Sequence, residues 1–382
     1  MKKKVLVFGP IADYGGRETE VALIVEALSP DYDVDVFTTS EISRQAHIYG
    51  AKGIGHVYSL KALILGHSPI IWFFAFLSFV LNNRKKNVAA YSGSKIIKRF
   101  FDYPSVAKKS TEKHLVRYDL VLICAQLSST YLREVCQFCK TNGILVIFRT
   151  TGTITSTDFN YLDLVDHFLH HSEQNAQRLY ASFAHKYTIV DQCALHQEKL
   201  LSLEPSGRSG HFLTVARLSP EKGVAELIEM FLEHCKDGIL TVVGDGKLLP
   251  EMQNRYAHSN QIHFEGFVPY GQLHKFYGSN SALFISSYEE TGPMSGIEAM
   301  AAALPVISTR VGAMPDRMKN MNPVFWFDIQ DAESFKNALD AFRSLDQIQS
   351  SALGMSMRKQ YLAHYSFEKI AAAYHKAVSE LI

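Results

Sequence analysis

Two glutamates, two glycines and a serine are crowded into one short stretch: Glu290, Gly292, Ser295, Gly296 and Glu298. Ser295 and Glu298 stand at capping-box spacing, which predicts a helix starting at Ser295 with several backbone N–H groups of its first turn unpaired. Those donors, with the positive end of the helix dipole, suit a phosphate, and the loop holding Gly292 and Gly296 lets it approach the backbone at Met294, Ser295, Gly296 and Ile297. Glu290 and Glu298 lie on either side of that anion site. Each also has a structural reading, Glu298 as the closing member of the capping box and Glu290 as a solvated loop carboxylate.

The elements that must position this loop are legible on both sides of it. Leu283 to Ser287 and Pro305 to Ser308 are short apolar runs that predict buried strands. Upstream, His211 to Val215 predicts another strand, as does Leu240 to Val243, whose turn Gly244-Asp245-Gly246 allows close approach of backbone to a ligand.

Glu290-x7-Glu298, followed by Ala-Met-Ala and then Leu-Pro-Val-Ile, resembles the donor-site motif of family 4 retaining glycosyltransferases of the GT-B fold. The loop departs from the family's usual Glu-Gly-Phe-Gly, with Thr291-Gly292-Pro293-Met294 in its place. A second stretch, Ala216 to Gly223, is similar to the family's Arg-Leu-x-x-x-Lys-Gly loop and supplies Arg217 and Lys222. The physics agrees with the resemblance: two cations at a strand end, opposite a helix N-terminus, make a diphosphate clamp, Arg as a fork and Lys as a point charge. The segment Ile262 to Val268, with Gly266, looks like the family's nucleotide-base lining. Gly15-Gly16-Arg17-Glu18 resembles the Gly-Gly-x-Glu that opens the first helix beside the family's reaction centre. Where many members carry a histidine near the transferred sugar, this chain has Arg149, Thr150 and Thr151, which by position alone are candidate sugar or acceptor contacts.

The resemblance implies an α/β architecture of two Rossmann-like doubly wound domains facing across a cleft. The boundaries read as an acceptor-binding domain over 1–205, a nucleotide-sugar domain over 206–365 and a helix over 366–382 crossing back to the first. A length of 382 residues fits two domains. A cluster of Pro205, Ser206, Gly207, Ser209 and Gly210, where apolar periodicity fades, marks the linker. The first domain opens with the apolar run Val5 to Gly9, a helix predicted over 17–28 and a strand Val34 to Thr38. Further strands are read at Asp119 to Cys124, Gly143 to Phe148 and Val165 to Ser172. The glycines near the N-terminus do not reproduce the dinucleotide fingerprint.

A net charge of +1 offers no argument for nucleic acid, and five scattered cysteines fit a reducing compartment. Met-Lys-Lys-Lys directly before a strand lacks the pattern of a signal peptide, so the expected location is the cytoplasm. Cys136 and Cys139 read as two apolar residues on one helix face, and His167, His170 and His171 as strand residues facing alternate sides, so no metal site is expected. Ser68 to Leu81 is the most apolar stretch, too short to span a bilayer, and is followed by ten Lys or Arg against two acids between Arg84 and Arg117. Residues 68–117 are thus either an anchor on an anionic membrane surface, peripheral on the inner face of the plasma membrane, or a buried helix followed by a solvated basic face.

What the resemblance implies chemically is transfer of a sugar from a nucleoside-diphosphate sugar, with retention and without metal or other cofactor, to a glycan or lipid-linked acceptor in cell-surface polysaccharide synthesis. Arg217 and Lys222 would hold the leaving diphosphate, Glu290 the sugar hydroxyls and Glu298 the ribose. A sugar-nucleotide epimerase of the same fold and a catalytically silent binding module share the diphosphate clamp and stay open as alternatives.

Overall fold

The computed structural model describes residues 2–13, 16–43, 46–67, 69–83, 87–205 and 210–382, His47 by its backbone alone. Gly15, Ser68, Arg84 and the linker residues Ser206, Gly207 and Ser209 lie outside the described residues. By contact density the chain forms two units, one of Met1–His170, Ala176–Val190 and Ala371–Ile382, the other of His171–Asn175 and Asp191–Ile370.

The first unit carries strands β1 (Lys4–Gly9), β2 (Asp33–Thr38), β3 (Ile54–Ser59), β4 (Leu120–Ala125), β5 (Leu145–Thr150), β6 (His167–His170) and β7 (Tyr187–Ile189). They form a parallel sheet in the order β3-β2-β1-β4-β5-β6-β7. Val5 to Phe8 and all six residues of β4 are fully buried, as central parallel strands covered on both faces must be. Cys136 and Cys139 are buried together on the helix Leu132–Thr141.

In the second unit β8 (His211–Val215), β9 (Ile239–Val243), β10 (Ile262–Gly266), β11 (Ala282–Ile285), β12 (Val306–Ser308) and β13 (Phe325–Trp326) are ordered β10-β9-β8-β11-β12-β13, again parallel. Alternate residues serve different cores: Phe212, Leu240, Ala282 and Phe284 face one apolar cluster, Leu213, Val243, Leu283 and Ile285 the other. In this order the sequence of strands reverses between β8 and β11. Ligands of doubly wound sheets bind beyond the carboxyl ends of the strands at such a point, and the loops after β8 and β11 are those carrying Arg217–Lys222 and Glu290–Ile297.

The expected division at 205/206 moves. Residues 191–205 group with the second unit because Ala194 and Leu200 pack into its core, and Arg358 donates to the carbonyl oxygens of Leu203 (2.6 Å) and Leu200 (3.5 Å). At the other end, the helix Phe367–Ser379 begins in the second unit and from Ala371 onward belongs to the first. The apolar stretch read from Ser68 forms one helix, Pro69–Leu81, preceded by a separate helix Leu60–His67, and it is not a core helix: most of its large apolar side chains are exposed.

Candidate active site

The loop after β8 is fixed before it presents any charge. Ala216 N–H donates to Val243 O (3.1 Å) and Leu218 N–H to Asp245 O (2.9 Å), and the Leu218 side chain is fully buried. Gly244 makes the crossing possible, since it sits at φ +140° and a Cβ there would lie 1.8 Å from Ala216 O. Gly266 closes the neighbouring strand by accepting the Gly244 N–H at 2.8 Å.

Beyond Leu218 the loop is stitched to the β11 loop. Ser286 Oγ donates to Lys222 O (2.8 Å), and Tyr288 N–H donates to Glu221 O (3.0 Å). Gly223, at φ +61°, begins the helix Val224–His234, and a Cβ there would come within 2.2 Å of Ser286 O. This sutured backbone brings Lys222 against Glu290, 68 residues later, with Nζ donating to Oε1 and the Ser287 hydroxyl donating to the same oxygen at 3.2 Å. Both members of the pair are 18% exposed, so a ligand can reach them. Arg217 lies further out, 69% exposed, and its Nη2 contacts Glu221 Oε1 at 2.7 Å. The Ser219 hydroxyl donates to the same oxygen at 2.7 Å, and that hydrogen bond, the local backbone N–H and Arg217 bring the Glu221 carboxyl down to about 2.

The helix expected at Ser295 starts one residue earlier and without the capping box. It spans Met294–Ala301 with Pro293 as N-cap, and no side chain caps it. Proline at φ −59° is already shaped for a helix entrance. What holds it is Arg317, which donates from Nη1 to Pro293 O (2.6 Å) while Nε and Nη2 fork onto Asp191 (2.8 and 2.6 Å). Arg317 is completely buried, and beside it Gly292 is tightly placed, a Cβ there lying 3.0 Å from Gln192 Oε1 and 3.2 Å from Arg317 Nη2. Met294 and Ser295 are half-buried, Gly296 and Ile297 buried, so the last two can offer a ligand only backbone.

Freed of capping, Glu298 turns into the unit. It is 3% exposed and accepts a hydrogen bond from the Tyr277 hydroxyl at 2.6 Å. Burial raises its carboxyl to about 7, the Tyr277 contact pulling the other way. Lys222, Glu290 and the helix start are therefore gathered by the loops, whereas Glu298 is buried against Tyr277.

The first unit treats its candidates differently. Arg149, at the end of β5, is 0% exposed: Nε and Nη2 both contact Glu20 Oε1 (3.1 and 2.8 Å), Nη1 donates to Val190 O (2.5 Å), and the Tyr374 ring lies over the guanidinium. The Tyr374 hydroxyl donates to the same Glu20 oxygen. Its expected role as a sugar or acceptor contact is thereby corrected to that of a buried structural ion pair. Thr150 is buried too, its hydroxyl against His170 Nδ1 at 2.8 Å. Thr151 is reached by Arg17, whose Nε and Nη2 donate to its hydroxyl at 3.2 and 3.1 Å. Gly16 opens the helix Gly16–Leu28, and Glu18 on that helix is buried, accepting from Ile48 N–H at 3.1 Å.

Sequence reasoning missed Asp191, Arg317 and Tyr277. A signal existed for Arg317, a charged residue between Met314 and Met318, which are both buried. Spacing that places arginine on an apolar face implies a buried acid somewhere, though not which one.

Comparison with known proteins relates part of the chain to a family. Residues 202–359 match the family described as glycosyl transferases group 1. The chain is 34% identical over 104 residues to an uncharacterized glycosyltransferase of Methanocaldococcus jannaschii, 27% of this chain and 29% of that one. It is 30% identical over 101 residues to the alpha-monoglucosyldiacylglycerol synthase of Acholeplasma laidlawii, 25% of each. The matched stretches thus span less than a third of these relatives. The fold as a whole is shared with the Anabaena protein HepE in complex with UDP, at a TM-score of 0.73 and 12% identity, over 99% of this chain and 100% of that one.

Proposed function

We propose, from the match of residues 202–359 to the family described as glycosyl transferases group 1 and from the shared GT-B fold, that the protein transfers a sugar from a nucleoside-diphosphate sugar to a glycan or lipid-linked acceptor. The reaction proceeds with retention of anomeric configuration and serves cell-surface polysaccharide or glycolipid synthesis at an anionic membrane surface. The observation that carries the reading is the Lys222–Glu290 pair, partly exposed and set by the stitched loops at the switch point of the second sheet.

As the bond from the anomeric carbon to the diphosphate oxygen breaks, negative charge grows on the phosphate and positive charge on the sugar. Arg217 forks the diphosphate, and Lys222 moves its charge from Glu290 onto it. The N–H groups at Met294–Ile297 add the positive end of a helix. Glu290, relieved of Lys222, accepts hydrogen bonds from sugar hydroxyls. The departing phosphate oxygen takes the proton of the acceptor hydroxyl, which attacks the same face, so the step needs neither a protein base nor a metal. Glu298 meets the ribose when the Tyr277 hydroxyl shares its carboxylate. The first unit holds the acceptor.

The test is a panel of UDP- and GDP-sugars, each incubated with and without glycan and lipid acceptors in the presence of EDTA. Acceptor-dependent release of nucleoside diphosphate, with an axial donor giving an axial product, is the expected result. Sugar interconversion without acceptor would instead identify an epimerase. Absence of any thermal stabilisation by UDP or GDP, at concentrations where about 2.7 kcal/mol is expected for a hundredfold excess over Kd, would remove the donor site altogether.

A further inference from the structure

The helix Pro69–Leu81 is turned the wrong way round for a protein surrounded by water. Its buried stripe is Ile71, Ala75 and Ser78, at helical spacing and mostly small or polar. Its large side chains face outward: Trp72 (48% exposed), Phe73 (57%), Phe76 (39%), Leu77 (39%), Val80 (41%) and Leu81 (67%). Trp72 and Phe76 stack on each other at 5.2 Å, one turn apart on that outer face. A contiguous apolar surface of this kind marks an interaction site rather than chance exposure.

Its charged surroundings select the partner. The helix Lys95–Phe100 packs beside it, with Phe100 stacked on Phe74 at 5.9 Å, and presents Lys95, Lys98 and Arg99 as exposed residues. Residues 42–101 contain nine Lys or Arg and no Asp or Glu. Exposed apolar side chains beside a marked excess of base over acid suit an anionic bilayer, which offers apolar chains beneath a continuous negative surface. Among the described residues no single helix is long and apolar enough to cross a membrane.

We infer that Pro69–Leu81 lies in the plane of an anionic bilayer, with Trp72, Phe73, Phe76 and Val80 immersed at the acyl boundary and Lys95, Lys98 and Arg99 on the headgroups. This sharpens the reading above by assigning the membrane contact to one helix face, and it rests on that reading only for what the contact serves. The immersed residues are the ones the fold leaves uncovered, so the free protein holds the docking face ready.

Flotation of the full chain with phosphatidylcholine vesicles, with and without phosphatidylglycerol, tests it. The protein is expected to float with the anionic vesicles only, and less at high salt. In a Trp326→Phe background, the remaining Trp72 should shift its emission to the blue on binding. The double variant Trp72→Ser/Phe76→Ser, which changes exposed residues and keeps the wild-type melting temperature, should weaken partitioning at least about tenfold, and Lys98→Glu/Arg99→Glu similarly at low salt. Wild type that stays with the unfloated fraction, or a double variant that floats equally well, overturns the inference. So does a concentration-dependent dimer that Trp72→Ser/Phe76→Ser dissolves, which would assign the face to a second copy. UDP stabilisation measured on the same preparations keeps the outcomes apart, since wild type that fails to float yet is still stabilised by UDP rejects the helix assignment and leaves the transferase reading standing.

Discussion

The two units carry cations at the carboxyl ends of their strands and use them in opposite ways. Arg149 ends in a closed set of partners, Glu20, Tyr374 and Val190 O, with no exposed surface. Lys222 and Arg217 each have one carboxylate partner and remain 18% and 69% exposed. A guanidinium whose donors are consumed inside the protein cannot also bind a diphosphate, because the incoming anion would have to compensate the desolvated partner left behind. A cation with a single exchangeable partner at the surface can change partners at little cost. Position on the sheet is thus not enough to recognise a ligand-binding cation, and the state of its existing partners decides.

The comparison breaks most sharply at Arg149. Arg149→Ala leaves Glu20 buried beside an empty space, and its unfolding free energy should fall by about 3–5 kcal/mol, the usual cost of orphaning one member of a buried pair. Chemical denaturation measures it. A loss below about 1 kcal/mol would mean that Glu20 is not committed to Arg149, and the distinction between the units would fail.

Next in size, and visible in activity rather than stability, is the Lys222–Glu290 pair. Lys222→Ala should lower kcat/KM by about tenfold to a hundredfold, the worth of one charge-assisted contact to a leaving group, while the melting temperature barely moves. Glu290→Gln should lower kcat/KM by at least about tenfold while keeping nucleotide binding, since it removes sugar contacts and leaves the cation. Steady-state kinetics on both variants, with UDP or GDP titrations alongside, separates this from the Arg149 pattern of lost stability. If Lys222→Ala turned over normally, the pair would be structural like its counterpart in the first unit.

How much of this was readable from residues alone follows the same division. The buried strands Val5–Phe8, Leu120–Ala125 and Leu283–Ile285 were legible because full burial leaves unbroken apolar runs. The strands β3 and β7 escaped: in β3, Gly55 and His56 are exposed and break any pattern, and β7 has three half-buried residues. Lys222 and Glu290 were singled out because the loops carrying them resemble motifs of a known family. Arg149 was misread and Arg317 overlooked because their partners lie 129 and 126 residues away, a pairing that local spacing cannot encode. Ser295 and Glu298 fit a capping box in spacing, yet Pro293 starts the helix and Tyr277, on a different helix, takes the carboxylate.

A smaller effect separates the units by pH. His170 is buried against Thr150 and His185, and desolvation, then the neighbouring His185 and Arg149, bring its pKa down to about 3. From the ordinary value of 6.5 downward the unfolded chain takes up a proton that the folded unit refuses, so stability is lost as pH falls through that range. Glu298 works in the other direction. Its folded value of about 7 exceeds the ordinary 4.5, so between these the folded unit keeps a proton that the unfolded chain has released, and stability falls as pH rises. Glu298→Gln should remove that decline, gaining on the order of 1–3 kcal/mol relative to wild type between about pH 5 and 8. His170→Asn should flatten the acid side instead. Unfolding free energies across that range check both, and a Glu298→Gln curve parallel to wild type would show the carboxylate to be ionised in the fold.

The least expected change lies at Arg217, and its small size sharpens the contrast with Arg149. Arg217 projects into solvent, so Arg217→Lys keeps the charge and disturbs no packing, and stability should be unaltered. A lysine, however, offers a single point charge where the guanidinium forks two oxygens, and the longer reach to Glu221 costs it that partner as well. The donor KM should rise by about threefold to tenfold with kcat little changed, because the contact is present in ground and transition states alike. Raising the salt concentration should narrow the difference, since an exposed charge is screened where a buried one is not. A substitution that instead lowered kcat alone would move Arg217 from holding the donor to stabilising the leaving group as it departs.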